Sequence, residues 1–160
     1  MPHRDDPSWA SDRVPAPLFG DRAPVGWEDL CENDFIAYRF RADVELTIGG
    51  HDFSTVWAPV VDFALAWQYL PAALKNDDRV ETCMTVEPLV YRVENDGAEV
   101  AISSNQHKGR VSVSAVQFGV IVDRIVDAAF DLLYERQPAL LRNRYLVDLR
   151  RRIGLEPAPG

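Results

Sequence analysis

The chain predicts an α+β fold, a mostly antiparallel sheet of about five strands with helices on one face, and three observations carry that expectation. Apolar residues alternate at period two from Phe35 to Ile48. Gly49-Gly50 and Asp96-Gly97 punctuate strand candidates as hairpin turns, and from Phe118 the apolar spacing switches to three and four. Runs of strands flanked by helices, without strict strand–helix alternation, define this class.

Residues 1–33 read as an acidic N-terminal arm, with five of the eleven prolines, seven acids and three arginines. Trp9, Leu18, Phe19, Trp27 and Leu30 are too apolar for a purely solvating tail, which puts parts of the arm on the domain or on a partner. A single domain is expected over 34–154 and a C-terminal tail over 155–160.

In the domain, Ile36, Tyr38, Phe40, Ala42, Val44, Leu46 and Ile48 alternate with Arg39, Arg41, Asp43, Glu45 and Thr47, the pattern of a long strand with one wet face. Gly49-Gly50 supplies the positive φ angles of a tight turn, and His51–Val56 runs back antiparallel. Ser54 or Thr55 is the candidate cap of a helix with Pro59 in its first turn and Val60, Phe63, Ala64, Trp67, Leu70 and Leu74 on its apolar stripe. Pro71 predicts a kink or a new short turn before Asn76-Asp77-Asp78.

Strand candidates follow at Glu81–Glu87, Leu89–Glu94, Glu99–Ser103 and Arg110–Ser114, with Pro88 at a division or bulge. A helix capped by Ser114 runs to Arg136, Pro138 breaks it, and a second stripe from Leu140 to Ile153 ends at Gly154 with Asn143 and Asp148 facing away.

Composition narrows the function. The net charge of −8 opposes a polyanion, so nucleic-acid binding is not expected. No stretch approaches the roughly 20 apolar residues of a membrane helix, and no leader pattern opens the chain, so a cytoplasmic protein with no membrane partner is expected. Cys31 and Cys83 lie too far apart for a metal-ligand spacing and read as free thiols, Cys83 as a buried small hydrophobe in a strand. His3, His51 and His107 fall in separate segments, which argues against a metal site, and no cofactor is expected. The phosphate-loop, dinucleotide, zinc-protease and serine-hydrolase motifs are all missing. Ser103–Arg110, with its hydroxyls, amides, imidazole and two cations, is the local cluster that most resembles an anion or substrate site, although any polar hairpin end has this character.

The most informative pattern is Asp123, Asp127, Asp131 and Glu135, spaced by four along the helix after Phe118. Like charges at this spacing oppose their own helix by a few tenths of a kcal/mol each, so a counter-charge is expected. It could come from Arg142, Arg144, Arg150, Arg151 and Arg152 of the last helix, or from a basic surface on another protein. Segment charge broadens the second option: residues 1–33 sum to −4, 34–117 to −5 and 118–160 to +1. Asp77, Asp78, Glu81, Glu94, Asp96 and Glu99 are therefore as available to a basic partner as the helix stripe. The candidate partner-binding set is Asp77, Asp78, Glu94, Asp96, Asp123, Asp127, Asp131 and Glu135, with no catalytic residue.

The long strand ending in Gly49-Gly50, the helix through Asp62-Phe63-Ala64-Leu65-Ala66-Trp67, the hairpin about Asp96-Gly97 and two closing helices resemble the layout of small acidic immunity proteins of bacterial toxin systems. The resemblance covers residues 34–154 and implies a cytosolic, non-catalytic inhibitor that occludes the active site of one cognate toxin domain. Two other classes stand beside it. One is an enzyme or small-molecule-binding protein, with a pocket between helix and sheet lined by Tyr38, Trp57, Trp67 and Tyr91 and served by Asp62 or His107. The other is an oligomerisation subunit whose Trp9 and Trp27 dock onto a neighbour.

Overall fold

In the computed structural model, residues 1–10, 12–16 and 25–155 are described. Leu18 and Phe19 of the arm, and residues 156–160 of the tail, lie outside them. The α+β class holds, but the strands form three antiparallel sheets and not one of about five strands.

The largest sheet is a four-stranded meander of β1 (Arg79–Cys83), β2 (Val90–Asn95), β3 (Glu99–Ser104) and β4 (Arg110–Ser114), hydrogen-bonded in that order. Alternation sends Val80, Tyr91, Val93, Val100, Ile102 and Val111 into the core. Arg79, Glu81, Arg92, Glu94 and Arg110 occupy the opposite phase on the outer face. The first of these strands stops at Cys83 instead of Glu87, and the Cys83 side chain is exposed because it shares its phase with Arg79 and Glu81.

The predicted long strand is broken. Residues Asp34–Tyr38 form a π-turn instead, followed by the short strands βa (Arg41–Val44) and βb (Thr47–Ile48). Asp34 explains the departure: its carboxylate accepts from the Cys31 N–H at 2.9 Å and pairs with Arg39 at 3.2 Å, while Phe35 stacks between Phe40 and Tyr145. Alternation had put Arg39 and Arg41 on a wet face, yet they are 3% and 4% exposed.

The Gly49-Gly50 turn is present, with φ of 55° and 81°, and joins βb to βc (His51–Asp52). A Cβ on Gly49 would lie 2.6 Å from Val111 Cγ2, so glycine also lets this hairpin close onto the meander. Ser54 and Thr55 do not cap a helix. Thr55–Pro59 forms βd, which pairs with βa across a bulge between Ala42 and Val44.

The first helix, α1 (Val60–Ala73), starts after Pro59 and runs through Pro71 to end two residues later, so the proline neither kinks off a new turn nor stops the helix before it. It is apolar on nearly every side and correspondingly buried, between the meander and the second helix, α2 (Ala115–Arg136). Ser114 and Gln117 cap α2 reciprocally. After a 3-10 turn, Pro138–Arg142, comes α3 (Arg144–Arg152). Asn143 does not face away. It is fully buried, caps α3 through the Leu146 N–H, and donates to the Trp27 and Leu30 carbonyls at 2.8 and 2.9 Å.

The described part of the arm lies on the same core. Trp27 and Leu30 are buried, Trp9 packs edge-on to Phe40 and donates to the Arg41 carbonyl, and Pro2 bridges Ala42. The two tryptophans proposed to dock on a neighbour are thus engaged by their own chain. No helix among the described residues is long and apolar enough to cross a membrane.

Candidate functional site

The eight candidate acids fall into three settings. Glu94 lies on the outer face of the meander, 3.4 Å from Arg79 and 2.8 Å from Arg110, in a lattice where Arg92 also meets Glu81 at 2.6 Å. Its charge is answered within the chain. Asp77, Asp78 and Asp96 are exposed in two turns joined by the Asn95 N–H donating to the Asp78 carbonyl at 2.7 Å. Asp96 also accepts from the Glu99 N–H at 3.1 Å, a turn-building role.

The third setting is α2. Asp123, Asp127, Asp131 and Glu135 are all exposed, and among the described residues none has an ion-pair partner. The counter-charge expected from the last helix is directed elsewhere. Arg150 lies over the rings of Phe130 and Tyr134 at 5.3 and 5.5 Å, Arg152 lies over Tyr145 at 5.9 Å, and Arg151 pairs with Asp148 at 3.1 Å. The packing of α3 brings the guanidiniums of Arg150 and Arg152 above aromatic faces, where cation–π attraction favours them. Val116 and Val120, exposed at 77% and 46%, belong to the same outward side of α2 as Asp123 and Asp127, so this surface mixes carboxylates with bare apolar area.

Each residue turns a helix by about 100°, so spacing by four drifts about 40° per step. The stripe therefore winds, so that on an ideal helix Asp131 and Glu135 are turned further than Asp123 towards the side of α2 that carries Arg124 and Ala128. Those two residues border a half-open apolar groove of about 440 Å³ between α2 and residues 42–48. Its apolar lining comes from alternate residues of 42–48 and from Phe63, Ile121, Ile125 and Leu132, and Asp43, Glu45, Thr47, Arg124 and Met1, whose ammonium donates to the Asp43 carbonyl, complete it. Small side chains at positions 42, 128 and 129 open the space; sequence spacing shows which residues share a helix face but not that residues 42–48 stop short of it.

The pocket anticipated between Tyr38, Trp57, Trp67 and Tyr91 is not formed. Trp67 and Tyr91 are fully buried with ring centroids 4.8 Å apart, and the Tyr91 hydroxyl donates to the Phe53 carbonyl at 3.1 Å. Burial pushes the Tyr91 phenol well above its usual range. Asp62, 6% exposed, is taken up by Thr85, whose N–H and hydroxyl both donate to it at 2.7 Å. Burial raises its carboxyl above the ordinary range against the opposing pull of these hydrogen bonds and of Arg41.

The polar loop 104–109 is likewise engaged. His107 Nε2 donates to the Ser54 carbonyl at 2.7 Å, which fixes the tautomer because a carbonyl only accepts. Asn105 accepts from the Val90 N–H and donates to the Pro88 carbonyl. Asp52, 4.0 Å from His107, is held below its usual carboxylate range chiefly by its hydrogen bonds with Ser54. Among the described residues no group of three His, Cys, Asp or Glu side chains is placed to hold a metal ion.

One arrangement had no signal in the sequence. Phe40 and Trp57 both adopt positive φ, 56° and 61°, on either side of Arg41. Arg41 donates to the Trp57 and Ala37 carbonyls at 3.0 and 2.6 Å and lies over the Trp57 ring. Left-handed backbone at two bulky residues costs about 1–3 kcal/mol each and persists because the surrounding contacts fix it. These contacts anchor the βa–βd ribbon, whose continuation to Ile48 forms one wall of the groove.

The site is thus an acidic helix face beside an apolar groove on an α+β domain. No family model, curated protein or solved structure matches the chain.

Proposed function

We propose that the chain is a non-catalytic, cytoplasmic protein-binding module that meets one basic protein partner through α2, and that its specific role is that of an immunity protein occluding the active site of a cognate toxin domain. The observation that carries the binding reading is the row Asp123, Asp127, Asp131 and Glu135, exposed and without a cation partner among the described residues. A rigid helix face rich in carboxylates complements a basic surface, speeds encounter and rejects acidic competitors. Val116 and Val120 add the apolar contact that charge alone does not give.

The test is affinity purification of the tagged chain from its host at low salt, with mass-spectrometric identification, beside a variant carrying Asp123→Lys and Asp127→Lys. A stoichiometric partner that the wild type retains and the variant loses supports the reading; retention by both, or by neither, overturns it. The inhibitory role has its own readout: co-expression with the partner should relieve the growth arrest that the partner causes alone.

A further inference from the structure

The acidic face of α2 and the groove are separate surfaces, since Asp123 and Asp127 lie outside the lining of the groove. Val44, Leu46, Ile121, Ile125 and Leu132 pack against the core yet are only partly buried, and all five line this one cavity. Half-bare aliphatic side chains gathered in one place mark a binding surface. Val60, Phe63 and Ala129, themselves buried, complete the apolar wall. The volume of about 440 Å³ falls within the range of small-molecule sites, about 300–1,000 Å³. Along α2 the lining extends from Ile121 to Leu132, about 16 Å of helix. Spread over that length, the volume suits one slender chain; a helix, about 10–12 Å across with its side chains, would sit on the mouth and not in it.

Four charged groups border the cavity, and three of them are engaged or turned away. The Asp43 carboxylate accepts from the Trp57 N–H at 3.2 Å and lies 3.9 Å from His3, and the Met1 ammonium donates to the Asp43 carbonyl. Glu45 is exposed, in the strand phase opposite to the half-buried Val44 and Leu46. Arg124 is different. It shares a helix side with Ile121 and Ala128, three residues before it and four after, and among the described residues it has no ion-pair partner.

We propose that the groove binds a medium-chain monocarboxylate, with its alkyl chain along Ile121, Ile125 and Leu132 and its carboxylate on the Arg124 guanidinium. This goes beyond the protein-binding reading and does not rest on it. Affinity comes from the chain, each buried methylene tightening binding about fourfold, and selection of the head group comes from the bidentate fit of guanidinium to carboxylate.

Isothermal titration calorimetry of the full chain with decanoate, below its micelle-forming concentration, tests this beside octanoate and decyltrimethylammonium. Decanoate should saturate one site, with octanoate about tenfold weaker for its two missing methylenes. Decyltrimethylammonium, with the same chain and the opposite charge, should bind at least about tenfold more weakly than decanoate. Arg124→Gln should weaken decanoate about tenfold without weakening the cationic amphiphile. Ala128→Trp, which fills the groove from an exposed position, should abolish decanoate binding with unchanged far-ultraviolet circular dichroism. The pair Asp123→Asn with Asp127→Asn, outside the lining, should leave it unchanged.

No saturable binding of decanoate, equal or tighter binding of decyltrimethylammonium, or indifference to Ala128→Trp or to Arg124→Gln overturns the proposal. Loss of decanoate binding in the Asp123→Asn, Asp127→Asn variant overturns it as well, because the site would then lie on the acidic face. Concentration-dependent dimerisation abolished by Ala128→Trp identifies a second copy as the occupant, with the same consequence. A host partner recovered without any decanoate site overturns this proposal and leaves the protein-binding reading standing.

Discussion

The strand side of the molecule and its helical side treat charge in opposite ways. On the strand side every prominent arginine meets a carboxylate: Arg39 meets Asp34, Arg41 meets Glu87, and Arg79, Arg92 and Arg110 interleave with Glu81 and Glu94. On the helical side, Arg150 and Arg152 lie over aromatic rings while the acids of α2 stand without a cation partner among the described residues. Net charge therefore conceals the distinction that matters. Glu94 and Asp131 are both solvent-facing carboxylates, but one is already neutralised locally and the other presents an open field.

The comparison can be broken at its strongest point first. Arg39→Ala leaves Asp34 buried beside the vacated space and strips a donor from the Pro15 carbonyl, so urea unfolding should show a loss of about 3–5 kcal/mol. A loss under 1 kcal/mol would show that the pair is dispensable.

A second test concerns the buried carboxylate of Asp62, which is held by Thr85 and has no ion pair among the described residues. Because the folded pKa of Asp62 is raised, the folded state holds its proton more firmly than the unfolded chain does. The stability this contributes is complete below the ordinary value of 3.8 and is lost as pH rises through the raised folded value. Asp62→Asn keeps an oxygen for Thr85 and removes that titration, so its urea midpoint should gain on the wild type as pH rises across this window. A difference that stays flat with pH would contradict the assignment.

The smallest effects give the sharpest contrast, because their signs differ. Glu94→Gln on the meander should destabilise by up to about 1 kcal/mol, whereas Asp127→Asn on α2 should stabilise by a few tenths of a kcal/mol by relieving i,i+4 repulsion. Thermal melts at low ionic strength read both, and salt should shrink the two differences towards zero. Effects of the same sign would mean that α2 has a counter-charge after all.

The legibility of the site follows the same division. The spacing of Asp123, Asp127, Asp131 and Glu135 and the Ser114 cap were readable because both depend on residues within one or two turns. The groove was not, since it needs residues 42–48 to approach α2 across more than 70 positions of sequence. Alternation failed from Phe35 to Arg41 for a related reason: Asp34 and the aromatic stack around Phe40 override a strand pattern that is locally sound.

By itself, the sequence determined the α+β class, the Gly49-Gly50 turn, the four strands about Asp96-Gly97, and α2 with its acidic row, all of them set by side-chain period and turn chemistry. Tertiary structure alone decided that Arg39, Arg41 and Asn143 are buried, that Trp67 and Tyr91 fill a core, and that α3 turns its guanidiniums to aromatic rings. Burial of a polar group is favourable only when distant partners satisfy it, and no local pattern specifies those partners.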